Sequence, residues 1–484
     1  MNFVYSLSDT FLLVVLSFEC LRVLQSTGYR PERGYLKVLL TPYFLALVLT
    51  ETAAVLMYCY GLPEYSVTAL YFAVACPCTF IKRKCPLKFT KRILRLLVAE
   101  TAVLFVLCFF VGNAFFAACL PVIALWAWAV CLPIDKAIAT HYLKKACKKL
   151  EESNVTVVAV TGSYGKTSVK DMLTALLDDA VSPNGSCNTP LGIAGFINKT
   201  DLYYAKYLIL EFGARQRGDI TELCNLYKPK FGIVTGVCAQ HLSTFKNIDN
   251  VIAAKRELIE YLPPNGVCVL NDRDKIAESF ACVGECGKIM SHDNLTVTVD
   301  KVDFSGTTLS VARGKLVKKV TLPQITEYVS DTFAMCLQTA LVLKQSFTKT
   351  VSRAVFVKQT AHRMELIKTE RCYLIDDGYN GSIAGIQSCV KTLSNFNCSK
   401  VVITQGLVEC GKKRKEMNVE CGRLLGSACD VAVVVGQNAK ILSAGLSETA
   451  CKVICAKNLQ KAVALAQPYI NGGILLFQND IPDV

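Results

Sequence analysis

Histidine and paired cysteines, the usual ligands of protein-bound transition metals, are scarce or absent in this sequence. The 484 residues include only four histidines: His141, His241, His292 and His362. The 24 cysteines form no Cys-x-x-Cys pair and lie scattered through apolar runs. Zinc and iron–sulfur centres are built from closely spaced cysteines and histidines. The sequence therefore argues against both and indicates reduced thiols that pack as small hydrophobic side chains.

Long apolar runs are concentrated in the first part of the chain. Hydrophobic residues make up 52% of the sequence, and the excess lies before residue 134. Five apolar segments are predicted to cross a membrane, at residues 4–24, 36–60, 66–81, 93–111 and 114–132. The third is short for a span. The first lacks the basic start and small-residue cleavage site of a signal peptide, so we expect it to be retained.

Basic residues flank these segments unevenly, within a net charge of +14. Residues 82–95 contain seven lysines or arginines and no acid, whereas the turns at 61–65 and 112–113 contain no lysine or arginine. A basic loop can bind nucleic acid, but its place between apolar segments favours a cytoplasmic membrane flank. We expect an integral protein of the plasma or inner membrane, in contact with the lipid bilayer and not nucleic acid, with its remaining domains in the cytoplasm. Glu51 and Glu100, within the second and fourth segments, are expected to lie near an interface or to hydrogen-bond inside the bundle. The alternative is that they pair with a basic residue or contact a polar lipid head.

The segment Thr-Gly-Ser-Tyr-Gly-Lys-Thr-Ser at 161–168 has the pattern of a phosphate-binding loop. It follows an apolar β-type run at 155–160 and opens a helical pattern at 168–177. Glycines let the backbone N–H groups face phosphates, the lysine reaches the terminal phosphates and the next hydroxyl binds Mg²⁺. An ordinary glycine turn is the alternative. The segment predicts binding of ATP and Mg²⁺ by its polar and glycine residues, namely Gly162, Ser163, Gly165, Lys166, Thr167 and Ser168.

Beyond Pro133 the pattern changes to short apolar strands that alternate with amphipathic helices. Runs at 207–210, 231–235 and 267–270 are typical of buried strands, with helices at 220–227 and 251–261 between them. A second set follows residue 361, with strands at 372–375, 400–404, 431–435 and 474–477. The predicted fold is an α-helical membrane domain followed by α/β structure. Its parts are membrane residues 1–134, a doubly wound phosphate-loop domain at 135–358 and a smaller Rossmann-like C-terminal domain at 359–484.

Several polar residues follow the predicted strands of the first set. Glu211, His241 and Asn271 come at or after the ends of three strands, and Lys255 lies in a helix between two of them. Ligands of open α/β sheets bind at the carboxyl ends of strands, so we expect these groups to converge. Taken singly, Lys255 could be a solvated helix lysine and His241 a turn histidine.

In their order along the chain, these motifs resemble the Mur ligases. The resemblance is greatest to the MurF type, which adds D-alanyl-D-alanine to a muramoyl peptide, and it covers residues 150–484. The matching segments are 161–167, 188–192, 211–213, 241–242, 253–255, 271–274, 362–365 and 376–380. The sequence departs from the family in four ways. Five apolar segments stand in place of a domain that binds uridine diphosphate. Tyr328 and Thr332 replace a His and an Asn on the adenine side, Ser243 replaces a frequent Glu, and His362 replaces a Gly.

The resemblance implies a role for each matching residue. The implied catalytic residues are Lys166, His241, Lys255 and Arg363. The implied Mg²⁺ ligands are Thr167, Glu211, His241 and Lys255, the last as a carbamate. The implied nucleotide contacts are Asn271, Arg363 and Asp376. The implied substrate contacts are Asn188, Thr189, Asp377, Tyr379 and Asn380.

The resemblance implies an ATP-dependent ligase that forms an amide bond through an acyl phosphate. Its acceptor would be a muramoyl-peptide carboxylate and its amine D-alanyl-D-alanine, in peptidoglycan synthesis. Two alternatives stay open. One is the same chemistry with another carboxylate acceptor and an amino-acid amine, as in polyglutamate or folate-type ligases. The other is a membrane-anchored nucleotide-binding scaffold without turnover, which the combination of Lys166, Glu211, His241 and Lys255 disfavours.

Overall fold

The structure, a computed structural model, describes residues 3–80, 86–110, 118–238, 242–379, 381–408, 410 and 413–481. It consists of two compact units, one up to His141 and one from Tyr142 onward. Each unit has its own buried core, and the two are described separately here.

The first unit is helical. It contains α1 (Phe3–Ser26), α2 (Pro42–Cys59), α3 (Glu64–Phe80), α4 (Lys91–Phe110) and the first part of α5 (Leu120–Glu152), with 3₁₀ turns at Pro31–Arg33 and Tyr35–Leu40. The residues of α5 from Tyr142 onward belong to the second unit. Helix α2 begins where Thr41 accepts a hydrogen bond from the Phe44 amide and Pro42 occupies the first turn. Helix α5 continues through Pro133, so the predicted domain boundary at 134/135 falls inside a helix.

Each predicted apolar segment coincides with a helix, although the start of the second is the 3₁₀ turn at Tyr35–Leu40. Among the described residues, three helices are long and apolar enough to cross a membrane, namely α2, α4 and α5. Helix α3 has 17 residues, short for a span, as the sequence indicated. The five-span topology stays a prediction.

The two acids of the apolar segments have partners inside the first unit. Glu100 is fully buried and accepts a hydrogen bond from Ser17 Oγ at 2.8 Å. Glu51 accepts one from the Ala118 amide at 3.4 Å. Both contacts agree with the expectation that these carboxyl groups bond within the helix bundle.

The second unit begins with a six-stranded parallel sheet. Its strands are β1 (Thr156–Thr161), β2 (Ala180–Val181), β3 (Tyr207–Glu211), β4 (Phe231–Val234), β5 (Val267–Leu270) and β6 (Gly287–Met290), in the order β2-β3-β1-β4-β5-β6. The connecting helices are α6 (Lys166–Leu176), α7 (Pro190–Lys199), α8 (Asp219–Tyr227), α9 (Leu242–Phe245), α10 (Ile248–Tyr261) and α11 (Lys275–Ser279).

Alternate residues of β1 pack into different hydrophobic cores. Val157 and Ala159 belong to one core, and Val158 and Val160 belong to the other. Successive side chains of a strand point to opposite faces, so this sheet is covered on both sides. The predicted parallel α/β architecture is confirmed.

An antiparallel sheet that the sequence analysis did not identify follows. It consists of β7 (Thr296–Asp303), β8 (Gly306–Arg313) and β9 (Leu316–Leu322), and is succeeded by α12 (Val329–Val342) and α13 (Phe347–Ser352). Most of β9 is exposed and carries two adjacent lysines, Lys318 and Lys319. Its hydrophobic pattern is therefore too weak to stand out in the sequence.

The last part of the second unit contains another six-stranded sheet. Its strands are β10 (Glu365–Lys368), β11 (Tyr373–Tyr379), β12 (Lys400–Gly406), β13 (Val431–Val435), β14 (Lys452–Ala456) and β15 (Ile474–Ile481), in the order β10-β11-β15-β12-β13-β14. Its helices are α14 (Ile383–Leu393), α15 (Arg414–Ala428), α16 (Ala439–Leu446) and α17 (Leu459–Ala466). Only β10 pairs antiparallel. The four predicted strands are present, and β10 and β14 are additional.

Candidate active site

The segment between β1 and α6 forms a tight loop against the end of β4. Gly162 has φ +150°, and a Cβ placed there would lie 2.0 Å from Thr235 Oγ1. Gly165 has φ +72° and caps α6. The Ser163 amide donates to Gly236 O at 2.7 Å, and Ser163 Oγ accepts from the Cys238 amide at 3.1 Å. The two glycines are thus required by close approach and by left-handed backbone, as expected of a loop that turns its amides toward an anion.

Thr167, Glu211 and Asn188 form a hydrogen-bonded chain beside this loop. Thr167 Oγ1 donates to Glu211 Oε2 at 2.8 Å, and Asn188 Nδ2 donates to Glu211 Oε1 at 3.2 Å. Glu211 ends β3 and is 2% exposed. A hydroxyl and a carboxylate are the hard oxygen ligands that Mg²⁺ prefers, so this pair fits the predicted metal.

Three other predicted residues of this region lie at or just before the first turn of a helix. Lys166 begins α6, and its Nζ lies 3.5 Å from Ser163 O, so its ammonium stays close to the loop. Ser168 follows in the first turn of α6. Thr189 caps α7, where its hydroxyl accepts from the Gly192 amide at 3.3 Å.

Lys255 is a buried lysine on α10, with 3% of its surface exposed. Burial and the neighbouring Lys166 ammonium lower the pKa of Lys255 to about 7, against the opposing effect of acids including Glu211. The alternative of a solvated helix lysine is therefore wrong. His241, its expected metal-binding neighbour, lies outside the described residues.

Asn271 is buried at the end of β5 and braces the neighbouring strand. Its Nδ2 donates to Thr235 O at 2.8 Å, and its Oδ1 accepts from the Arg273 amide at 3.0 Å. These bonds fix the segment that follows β4, which also forms one wall of the phosphate loop. The predicted nucleotide contact of Asn271 stays a prediction.

Sequence reasoning missed how Tyr164 and Asp274 support the loop. Tyr164 Oη donates to Asp274 Oδ2 at 2.7 Å, and the same oxygen accepts from the Val237 amide at 3.1 Å. Asp274 Oδ1 caps α11 by accepting from two amides at its start. An Asp just before a helical pattern is a recognisable cap, but only the fold shows that it also holds Tyr164.

Tyr328, noted as a departure from the family, packs directly on the loop. Its ring centroid lies 5.6 Å from that of Tyr164, edge to face. Its buried hydroxyl finds no hydrogen-bond partner among the described residues. Burial raises the pKa of Tyr328 well above its ordinary value, so the hydroxyl keeps its proton and can donate. Thr332 Oγ1 bonds back to Tyr328 O at 3.3 Å.

The C-terminal sheet contributes a second cluster around Arg363. Its neighbours His362 and Met364 both have left-handed backbone, with φ +59° and +49°. His362 Nδ1 lies 2.7 Å from Asp376 Oδ2, and the Met364 amide donates to Asp377 Oδ1 at 3.3 Å. Burial raises the pKa of Asp377 to about 6, while the Arg363 guanidinium acts in the opposite direction. The turn therefore presents Arg363 between two held neighbours.

Two further predicted substrate residues come next in the sequence. Tyr379 ends β11, and Asn380 lies outside the described residues. Metal-binding atoms of His362, Glu365 and Asp376 lie within 4.8 Å of one another. The His362–Asp376 bond and the bond from the His362 amide to Glu365 Oε2 at 3.1 Å account for this grouping.

The predicted residues thus fall into two groups within the second unit. Lys166, Thr167, Asn188, Glu211 and Lys255 converge at the carboxyl edge of the first sheet. Arg363, Asp376 and Asp377 form the other group on the C-terminal sheet. A hydrogen bond from Thr360 Oγ1 to Asp171 Oδ2 at 3.4 Å connects the neighbourhoods of the two groups.

Together, the fold and this site define an α/β protein in which the predicted phosphate loop lies at the carboxyl edge of a parallel sheet. Residues 160–309 match the model of the Mur ligase middle domain. This segment is therefore similar to the Mur ligase middle domain, which confirms the resemblance found in the sequence.

Curated relatives and solved structures agree with this assignment. The chain is 26% identical over 300 residues to the UDP-N-acetylmuramoyl-tripeptide–D-alanyl-D-alanine ligase of Escherichia coli, covering 59% of this chain and 66% of that relative. It superposes on MurF from Acinetobacter baumannii with a TM-score of 0.64 and 21% identity, over 71% and 77% of the two chains. A MurF ligase from Thermotoga maritima in complex with ADP gives a TM-score of 0.61 and 23% identity, over 70% and 80%. The match thus leaves about a third of the E. coli relative uncovered.

Proposed function

We propose that this protein is an ATP-dependent ligase that joins an amine to a carboxylate through an acyl phosphate. The observation that carries the proposal is the convergence of Lys166, Thr167, Glu211 and Lys255 at one sheet edge of a Mur ligase middle domain. A carboxylate does not condense with an amine in neutral water, because hydroxide is a poor leaving group. Transfer of the γ-phosphoryl group of ATP to the carboxylate replaces hydroxide by phosphate.

The first step requires two anions to approach each other. A carboxylate oxygen of the acceptor attacks the γ-phosphorus, the bond to the β-γ bridging oxygen breaks, and ADP leaves. The loop amides and the Lys166 ammonium hold the phosphates and offset their charge. Thr167 and Glu211 would hold Mg²⁺, which adds positive charge at the transferring phosphoryl group.

Lys255 has the properties that a lysine needs for carbamylation. The reaction with CO₂ requires a neutral amine, and its pKa near 7 leaves a large neutral fraction at physiological pH. The carbamate is an anion with two oxygens. It would relieve the repulsion from Lys166 and offer a hard ligand for a second Mg²⁺, together with His241.

The second step is attack of the amine nitrogen on the acyl carbon, with loss of phosphate and of a proton from the amine. Water competes for the same carbon, so the site must be closed at this stage. Arg363 and the 376–380 segment, on the C-terminal sheet, would close over the phosphate loop and contact the γ-phosphate and substrates.

The substrates are proposed from the relatives. Curated relatives are named for joining D-alanyl-D-alanine to a UDP-N-acetylmuramoyl tripeptide. We propose the same amine and a muramoyl-peptide acceptor, and thus a role in peptidoglycan synthesis. The helices α2, α4 and α5 support anchoring in a membrane, with the ligase domains on the cytoplasmic side where ATP is available.

Phosphate release measured with a panel of acceptors and amines tests this proposal. We expect release only when a muramoyl tripeptide and D-alanyl-D-alanine are both present, with one amide formed per phosphate. Preference for a folate or glutamate acceptor would reassign the substrates within the same chemistry. No acceptor-dependent release with any pair would leave a nucleotide-binding scaffold.

The topology needs its own test, in a variant freed of accessible native cysteines. A reagent that cannot cross membranes should label a cysteine introduced at Tyr65 in intact cells. It should label one introduced at Lys88 only after the membrane is permeabilised. The reverse pattern would place the ATP site outside and refute the predicted orientation.

A further inference from the structure

Lys170 is a fully buried lysine one turn beyond Thr167 on α6, with 0% of its surface exposed. Its Nζ donates to Pro183 O and Gly185 O, both at 2.6 Å, and lies 3.0 Å from Asp171 Oδ1. A lysine ammonium has three N–H donors. All three therefore have partners, which is what allows the charge to be buried.

The two carbonyl acceptors belong to the segment 182–189 between β2 and α7, which also carries Asn188. Asn188 bonds to Glu211 at 3.2 Å, and Glu211 accepts from Thr167 at 2.8 Å. Thr167 lies on the same helix as Lys170, so the contacts form a closed ring. One side of the ring is the phosphate-loop helix, and the other is the segment predicted to face the acceptor.

Replacing Lys170 by an apolar side chain would open this ring at one point. The carbonyls of Pro183 and Gly185 would lose their donor, while Glu211 would keep both of its bonds. Buried carbonyls without donors are unfavourable, so the segment would move to reach water. Asn188 would move with it, because only two residues separate it from Gly185.

We propose that Lys170 is a positioning residue that fixes the 182–189 segment relative to the phosphate loop. This inference rests on the proposed function, in which the acceptor carboxylate must meet the γ-phosphate at a defined distance. Displacement of reacting groups by about 1 Å can slow a reaction about 100-fold. Lys170 touches neither ATP nor the acceptor, and it acts through the backbone of the segment that does.

Steady-state kinetics of Lys170→Met and Lys170→Arg test the proposal. In Lys170→Met, we expect the KM for the acceptor to rise about tenfold or more, and the KM for ATP to change less than about twofold. Lys170→Arg keeps the charge and donors and should recover part of the loss. An unchanged acceptor KM in a folded Lys170→Met enzyme, or equal rises in both KM values, would overturn the proposal.

Hydrogen exchange gives a readout that does not depend on turnover. The amides of 182–189 should exchange faster in Lys170→Met, and to a smaller degree in Lys170→Arg, while β1 and the start of α6 stay protected. Leu173→Ala is the matched control, since Leu173 is fully buried on the same helix and belongs to the hydrophobic core. It should lower Tm without raising the acceptor KM.

These measurements separate the possible failures. If the wild-type protein shows no acceptor-dependent phosphate release, the proposed function fails, and the exchange pattern alone decides whether Lys170 anchors the segment. If Lys170→Met does not fold, Lys170→Arg decides by the same two measurements. Unchanged exchange of 182–189 in the variant that folds would refute the anchor.

Discussion

The two groups of site residues differ in how they are held. In the central domain, Thr167 and Asn188, from different segments, both donate to Glu211 at the end of β3, and Tyr164 donates to Asp274. On the C-terminal sheet, Asp376 and Asp377 bond instead to the immediate neighbours of Arg363, within one turn and one strand. The central group is thus assembled from distant segments around the predicted phosphate loop, whereas these bonds of the C-terminal group join a turn to the neighbouring strand.

This difference suggests a division of labour between binding and closure. A pre-arranged loop with its metal ligands can take up ATP before any domain movement, because its parts are already in place. A group whose hydrogen bonds join a turn and a strand of one sheet can move with that sheet and complete the site at the moment of reaction. Substitutions in the central group should therefore affect both nucleotide binding and turnover. Substitutions in the C-terminal group should affect mainly turnover.

The largest effect is expected from Lys166→Ala. Loss of a positive contact to the terminal phosphates should raise the barrier by about 3–4 kcal/mol, which is a fall in kcat/KM of two to three orders of magnitude. Phosphate-release assays measure it, with unchanged Tm in the absence of nucleotide. Lys206→Ala is the control, since Lys206 is exposed and paired with Asp179 at 2.7 Å. Full activity of Lys166→Ala would remove the phosphate-loop assignment.

A somewhat smaller loss, on the order of 100-fold, is expected from Lys255→Ala, since a lost metal ligand weakens both the metal and its orientation. Excess acetate should restore part of the activity by supplying the missing carboxylate, and removal of bicarbonate should slow the wild-type enzyme. Arg256→Ala, on the same helix with an exposed side chain, should behave as wild type. Near-normal turnover of Lys255→Arg or Lys255→Gln would show that no carbamate is needed.

Arg363→Ala is the direct test of the division between binding and closure. We expect kcat to fall about tenfold or more, because the charge on the transferring phosphoryl group loses a partner. The Kd of ADP should change less than about threefold, since the central group alone holds it. Equilibrium titration and steady-state assays measure the two values. Arg371→Ala, an exposed arginine of the same domain, is the control. A large rise in the Kd of ADP would place Arg363 in the pre-arranged group.

The last prediction concerns the dependence of stability on pH, which is separate from turnover. The pKa of Lys255 falls from 10.5 to about 7 on folding, so between these values the unfolded chain holds a proton that the folded chain lacks. Stability therefore rises with pH across this window, by at most about 1.4 kcal/mol per pH unit, and the gain disappears as pH falls toward 7.

Lys255→Met should lack this rise. Urea unfolding in bicarbonate-free buffer at about pH 7.5 and about pH 9.5 would measure the difference between the slopes of the two proteins. Lys148→Met, at a side chain that is 77% exposed, should keep the wild-type slope. Identical slopes for Lys255→Met and wild type would mean that the lysine is charged in the folded state.

Elements marked by a continuous pattern in the sequence were predicted well, and elements without such a pattern were missed. The strand at 267–270 and the strand at 431–435 were predicted with the observed bounds, because continuous apolar runs flanked by polar residues mark buried strands. The sheet of β7, β8 and β9 was missed, because exposed lysines break its pattern. The fifth apolar segment was predicted at 114–132, whereas helix α5 runs on through Pro133 to Glu152, because apolar composition marks the membrane-spanning part and not the polar continuation of a helix.

The sequence by itself determined the chemistry of the central group. A lysine and a hydroxyl after two glycines are adjacent in the chain, so their joint presence is readable without a fold. Tertiary structure decided which distant groups meet them. The burial of Lys255 that lowers the pKa of its amine, the bond between Glu211 and Thr167, and the ring closed by Lys170 all depend on contacts that sequence spacing does not reveal. Burial and contact are properties of the packed chain, because desolvation and hydrogen-bond geometry arise only when separate elements come together.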